Sequence, residues 1–152
     1  MKLLHPELTW REFENFCEDM IFSCVDETKF RVNIQHNRQY SDGSNYRMDC
    51  HIAERRIGGK GLVIDFKHFP IAKLNRNEVL TTENYRKRCR ASAAVIMYSY
   101  QSNFTKDFFD ITSRFNIHAV EIDFSRSFKI KKMLKNIFTK QQVLFDPAHF
   151  LK

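Results

Sequence analysis

The sequence has no CxxC pair, no apolar run approaching the roughly 20 residues a membrane helix needs, and no low-complexity linker. With no matching histidine spacing around Cys17, Cys24, Cys50 or Cys89, the sequence gives a zinc site no support, and buried thiols of a reducing compartment are the better reading. The opening stretch "MKLLHPELTW" lacks the long apolar core of a signal peptide, so the expectation is an intracellular protein with no membrane partner. Internal repeats, a glycine-rich phosphate loop and a Ser/His/Asp triad are also missing, which removes support for a small-molecule α/β enzyme. What is present, 152 residues at 43% hydrophobic and 28% charged, reads as one soluble domain over 1–152 with a real core.

The net charge of +7 is unevenly spread. Residues 1–30 hold seven acids against three bases, whereas six bases and no acid lie between Asp123 and Asp146. "YRKRCR" packs four more bases into 86–90. Clusters of this kind suit a polyanion, most simply nucleic acid, or are no more than a solvated basic surface.

Thr9-x-x-Glu12 forms a capping box ahead of an amphipathic helix in which Trp10, Phe13, Cys17, Met20, Ile21 and Cys24 keep helical spacing. "FRVNIQ", "YRMDCHI" and "LVIDFKHF" alternate as three strands, the first two separated by a polar loop over 36–45 and the last two by a glycine turn. Thr82 is placed to cap a helix to about Ser92. Strand "AVIMYSY", helix "TKDFFDITSRF", strand "IHAVEID" and a basic helix over about 125–140 follow. An antiparallel meander followed by alternating helices and strands is an α/β fold with a mixed sheet.

"GKGLVIDFKHF" contains two residues that a strand filling a core does not need. Alternation puts Asp65 and Lys67 on one face with Val63, and sends Leu62, Ile64 and Phe66 to the other. Asp49 lies on the polar face of the preceding strand, so the two aspartates can converge at one end of the sheet. On the first helix Glu14 lies about 80° from the centre of the apolar stripe, closer than Glu12 or Glu18 at about 120°. Glu12 already has its capping role. Converging carboxylates repel, and a divalent cation resolves the conflict. Hard oxygen ligands, including the carbonyl of Phe66, select Mg²⁺, with Mn²⁺ as a substitute. A lysine beside them can orient a nucleophilic water or stabilise a phosphorane. A second triplet, Glu27-Thr28-Lys29, has no upstream acid on a paired strand and is set aside.

An acid on the second strand, Asp65-Phe66-Lys67 on the third and Glu14 on the first helix resemble the PD-(D/E)XK nuclease superfamily over roughly residues 9–123. The closest flavour is its Mrr-like and junction-resolvase-like branch. Met48 in place of proline before Asp49, and Asp in place of the commoner Glu at 65, depart from its signature. The resemblance implies a restriction-endonuclease-like αβββαβ core flanked by helices, with Asp49, Asp65 and Glu14 as metal-binding acids. Lys67 would be the catalytic base or stabiliser. It implies a Mg²⁺-dependent, site-specific endonuclease of double-stranded DNA, of restriction or intron-encoded homing type, in the cytoplasm or nucleoid. One active site per chain then asks for a homodimer or homotetramer to cut both strands. A Holliday-junction resolvase and a non-catalytic nucleic-acid-binding module are the alternatives. Arg38, Gln39, Ser44, Asn45 and Arg47 in and beside the polar loop, with Arg86 and Arg90 spaced i, i+4 on a helix, are the expected DNA contacts. His68 is expected to pack, while His51 shares a face with Asp49 and is placed to assist.

Overall fold

The computed structural model describes residues 8–39, 45–56 and 61–140, with the side chains of 35–39 and 45–48 left aside. Helix α1 (Trp10–Phe22) starts at the expected capping box: the Thr9 hydroxyl accepts from the Glu12 N–H, and the Glu12 carboxylate accepts from the Thr9 N–H. Phe13, Cys17, Met20 and Ile21 form its buried stripe. Strands β1 (Phe30–Gln39), β2 (Asn45–Glu54) and β3 (Gly61–Lys67) form an antiparallel meander. After a two-residue β4 (Lys73–Leu74) come α2 (Arg76–Cys89) and β5 (Ala93–Ser99). The two-residue β6 (Asn103–Phe104) pairs with β4. Helix α3 (Phe108–Arg114), β7 (Ile117–Ile122), a 3₁₀ turn (Phe124–Arg126) and α4 (Ser127–Lys140) complete the described chain.

The result is an α/β fold: a five-stranded mixed sheet, ordered β1-β2-β3-β5-β7, with four helices. β3, β5 and β7 run parallel and the meander is antiparallel. Both faces are covered. Cys50, Ile52, Leu62, Ile64, Phe66, Val95 and Met97 pack with Phe13 and Ile21 of α1 and Ile130, Leu134 and Phe138 of α4. Val63, Ala94, Ile96 and Tyr98 face Val79 of α2 and Phe108 and Ile111 of α3. The strand faces therefore fall as alternation predicts.

Two expectations about local structure are corrected. Of the polar stretch expected as a loop over 36–45, the described residues 36–39 and 45 are strand, and 40–44 lie outside the described residues: the β1–β2 ladder runs from Phe30↔Glu54 to Gln39↔Asn45. Once Val32, Ile34 and Ile52 fix the register, backbone pairing continues without further apolar residues. Helix α2 begins six residues before Thr82, capped instead by Asn75, whose side chain accepts from the Asn77 N–H 2.9 Å away. Ser44 and the expected glycine turn at 58–59 lie outside the described residues.

Candidate active site

The site forms where β2 leaves β3. Among the described residues their ladder spans Cys50–Ala53 against Gly61–Ile64, and Asp49 is the next residue of β2. Its carboxylate takes over the partnership that the ladder gives up: Asp49 Oδ2 accepts from the Phe66 N–H at 2.8 Å. In an extended strand the N–H and C=O of one residue project to the same side. The Phe66 carbonyl therefore opens toward Asp49 as well.

Asp65 is buried within β3. Its Oδ2 accepts from the Thr82 hydroxyl at 2.6 Å, a side chain that α2 presents from mid-helix. One turn earlier on α2, Glu78 pairs with Lys67, its Oε2 lying 3.4 Å from Nζ. The Lys67 side chain keeps only 15% of its surface exposed. Glu78 and Thr82, spaced i, i+4, thus clamp Lys67 and Asp65 from one helix face.

The electrostatics follow from this packing. Burial, and then the charge of Asp65, push the Asp49 carboxyl from its ordinary 3.8 up to about 6, against the opposing pull of the Phe66 N–H and Lys67. Burial also raises Asp65, while Lys67, the Thr82 hydroxyl and a backbone bond from Asp49 pull it down. Burial pushes up the Tyr85 phenol too, reinforced by the charges of Asp65, Asp49 and Glu78.

Asp49, Asp65, Phe66 and Lys67 are therefore brought together as the sequence pattern anticipates. Glu14 is half-buried and near enough to add to the upward push on Asp49, as the smallest influence. It does not join the aspartates as a ligand cluster: among the described residues no three His, Cys, Asp or Glu side chains are grouped to hold a metal ion. The donor set for a cation is accordingly two carboxylates and a backbone carbonyl. That set fits Mg²⁺, which commonly binds protein through one or two carboxylates and keeps several waters. Two carboxyls held together in a buried place, each pushed toward its protonated form, are also what a divalent charge would relieve.

Arg86 and Arg90 differ from expectation. The Arg86 guanidinium donates to both carboxylate oxygens of buried Glu83 and, at 3.2 Å, to the carbonyl of Ala91. It closes the end of α2 with its charge paired to Glu83, and a quarter of its side chain stays exposed. Arg90 has left that helix face: it is the C-cap, left-handed at φ 55°, and exposed. Arg38, Gln39, Asn45 and Arg47 stand on the ladder of β1 and β2, not in a loop. His68 packs as expected, its ring bonded to Ser99 Oγ and the Leu8 carbonyl beside Trp10 and Phe13. His51 is buried next to Gly61. Cys17, Cys24 and Cys50 are buried free thiols.

Thr82 and Glu78 are not among the residues that the sequence pattern singles out for the site. Their signal is the i, i+4 pair Glu78–Thr82 on the helix following the D-x-K strand, and starting that helix at Thr82 hides it.

No protein-family model matches the chain, and no curated protein matches it. Among solved structures it is similar to AF1548, a protein of unknown function, with a TM-score of 0.54 and 10% identity. The likeness covers 87% of this chain and 78% of that one. At that identity it speaks for the fold alone. No helix among the described residues is long and apolar enough to cross a membrane.

Proposed function

We propose that this protein is a Mg²⁺-dependent endonuclease of double-stranded DNA, built on a restriction-endonuclease-like fold. The observation that carries the reading is the convergence of Asp49, Asp65 and Lys67 at the point where β2 and β3 part, each held by a partner of its own. A purely structural role would leave a half-buried and a buried carboxyl, Asp49 and Asp65, close together at a sheet end without a reason.

When bound, Mg²⁺ supplies charge neutralisation and Lewis-acid polarisation of a phosphate oxygen. Asp49 and Asp65 would hold it, with the Phe66 carbonyl as a third oxygen. The Phe66 N–H and the Thr82 hydroxyl fix the two carboxylates so that neither reorganises when the phosphate arrives. Lys67, steered by Glu78, brings a positive charge to the reacting phosphate and a donor that can orient the attacking water. The basic surface of the chain, net +7, favours a polyanionic substrate. Cutting both strands from one site per chain then calls for a symmetric dimer or tetramer.

The test is incubation of wild type and Lys67→Ala with plasmid, genomic and four-way-junction DNA, in Mg²⁺ and in EDTA. Cutting of duplex in Mg²⁺ alone, abolished by Lys67→Ala, is the expected result. Cutting confined to the junction would move the reading to a resolvase. Cutting that survives Lys67→Ala would remove this site from the chemistry.

A further inference from the structure

Exposed apolar side chains gather at the strand ends next to the site. Lys67 closes β3, and its ladder partner on parallel β5 is Tyr98, one strand away at roughly 4.8 Å. Val63 and Ile96 lie on the face that packs with α2 and α3, and Tyr98 joins them there. Strand alternation puts Asp65 and Lys67 on that face too. Tyr98 therefore stands beside the Lys67 position, on the side of the sheet that carries the site.

Tyr98 is the floor of an aromatic cluster. Its ring lies 6.1 Å from Phe104, 6.4 Å from Phe108 and 6.0 Å from Phe109, and the rings of Phe104 and Phe109 meet edge to face at 4.8 Å. Tyr98 and Phe108 are buried, whereas Phe104 and Phe109 are 40% and 39% exposed. These two do not stand alone. Ile71 follows β3, Tyr100 follows β5, and Trp10 lies 6.3 Å from the ring of His68, the residue after Lys67. Together they make up five of the eight large apolar side chains left exposed among the described residues. Scattered apolar residues need no explanation, but a gathering of them marks a contact surface. The place also has a general meaning, because parallel strands offer ligands the crevice beyond their carboxyl ends.

Charge does not explain the gathering. Lys73 and Lys106 are exposed near Phe104, but Asp107 and Asp110 flank Phe109 and are exposed as well. The rim thus holds little net charge with which to track phosphates. Rings open to solvent offer something else, a face on which a nucleobase stacks, and such stacking tolerates any base. A base inside a duplex has both faces covered by its neighbours. An unpaired base, or one drawn out of the helix, presents a free face, and drawing it out costs least where pairing is already interrupted. We infer that Phe104 and Phe109 hold an unpaired nucleobase of the strand whose phosphate lies at Asp49, Asp65 and Lys67, so that the protein selects DNA with interrupted pairing beside the bond it cuts. The inference rests on the nuclease reading for its substrate class, and narrows that class. A contact between two copies of this chain is the competing occupant, but nothing would tie such a contact to the strand end that carries Lys67.

Binding is measured with Lys67→Ala in Mg²⁺, on duplexes of random flanking sequence that are either fully paired or carry a short run of unpaired thymines. The interrupted duplex should bind about 5- to 150-fold more tightly, the factor that 1–3 kcal/mol of stacking on a ring represents. Adding Phe104→Leu or Phe109→Leu should remove most of that preference. Phe109→Tyr, which keeps the ring, should retain it, and thermal melting of each variant separates loss of stacking from loss of fold. Affinity for paired duplex and the salt dependence of binding should hold, because no phosphate contact is lost. Equal affinity for the two duplexes, or a preference unmoved by the leucine variants, would overturn the inference, and cutting of paired duplex by wild type would then leave the nuclease reading standing. A shift of oligomeric state in the leucine variants with the preference intact would overturn it too, and make the rim a contact between copies of this chain. A ring-dependent preference in a protein whose wild type cuts no DNA would keep the inference and sink the nuclease reading. A chain that neither binds nor cuts either duplex would end both.

Discussion

Replacing Asp49 by asparagine should stabilise the metal-free protein. The amide keeps an oxygen for the Phe66 N–H, so the bond that orients the side chain survives. It removes the charge that burial and Asp65 oppose. A carboxyl raised in the folded state favours folding below its unfolded pKa, and that contribution is lost as pH rises through the folded value. Here the window runs from 3.8 to about 6. At 1.36 kcal/mol per pH unit, wild type at pH 7.5 forgoes about 3 kcal/mol that Asp49→Asn retains. The same linkage gives about half that difference at pH 5. Urea unfolding of both proteins in EDTA at pH 7.5 and pH 5 measures it, and a domain this size turns 3 kcal/mol into a Tm gain of roughly 6–12 °C. Mg²⁺ should narrow the gap by stabilising wild type more than the variant. A variant less stable than wild type at pH 7.5, or a gap independent of pH, would refute the argument that Asp49 is held against its own charge.

Thr82→Val should destabilise by about 1–3 kcal/mol, because it withdraws the 2.6 Å bond from a buried carboxyl, and Thr82→Ser should restore most of the loss. Thermal shifts on Mg²⁺ titration should be smaller for the valine variant than for the serine one, a difference that loss of packing alone would not produce. Arg86→Ala should cost about 3 kcal/mol in chemical denaturation, the low end for breaking a buried pair because Arg86 is a quarter exposed while Glu83 is 7% exposed. Arg90→Ala, at the exposed helix cap, should stay within about 0.5 kcal/mol of wild type in the same assay.

What can be read from the sequence divides by the kind of signal each element carries. Helix α1 is legible because its capping box is local, and α4 because Ile130, Leu134 and Phe138 repeat on one stripe. The faces of β2 and β3 follow from alternation alone, which is why Asp49, Asp65 and Lys67 can be grouped without coordinates. Helix α2 is hard to place because "RNEVLTTENYRKRC" is polar almost throughout, with Val79 its one strongly buried apolar residue. Its position is set by contact with β3 and β5, which no local pattern records. Strands β4 and β6 are two residues each, too short for any period to show. The outer part of the β1–β2 ladder reads as a loop because strand signals depend on apolar alternation, and the sequence there carries few apolar residues to alternate.

The register of β2 against β3 decides whether there is a site at all. Cys50 and Ile52 pair with Ile64 and Leu62 and bury the same face against α1 and α4. A slip of one residue would turn Asp49 into that apolar core and bring Cys50 out beside Asp65. The packing that fixes the register is thus also what aims Asp49 at Phe66 and Asp65. The parting of the strands just beyond Cys50 matters equally. Continued pairing would give the Phe66 N–H and carbonyl to the backbone of β2, leaving no anchor for the carboxylate and no carbonyl beside it. Because β2 parts from β3 while still paired to β1, the strand that carries Asp49 keeps its backbone partner beyond the parting.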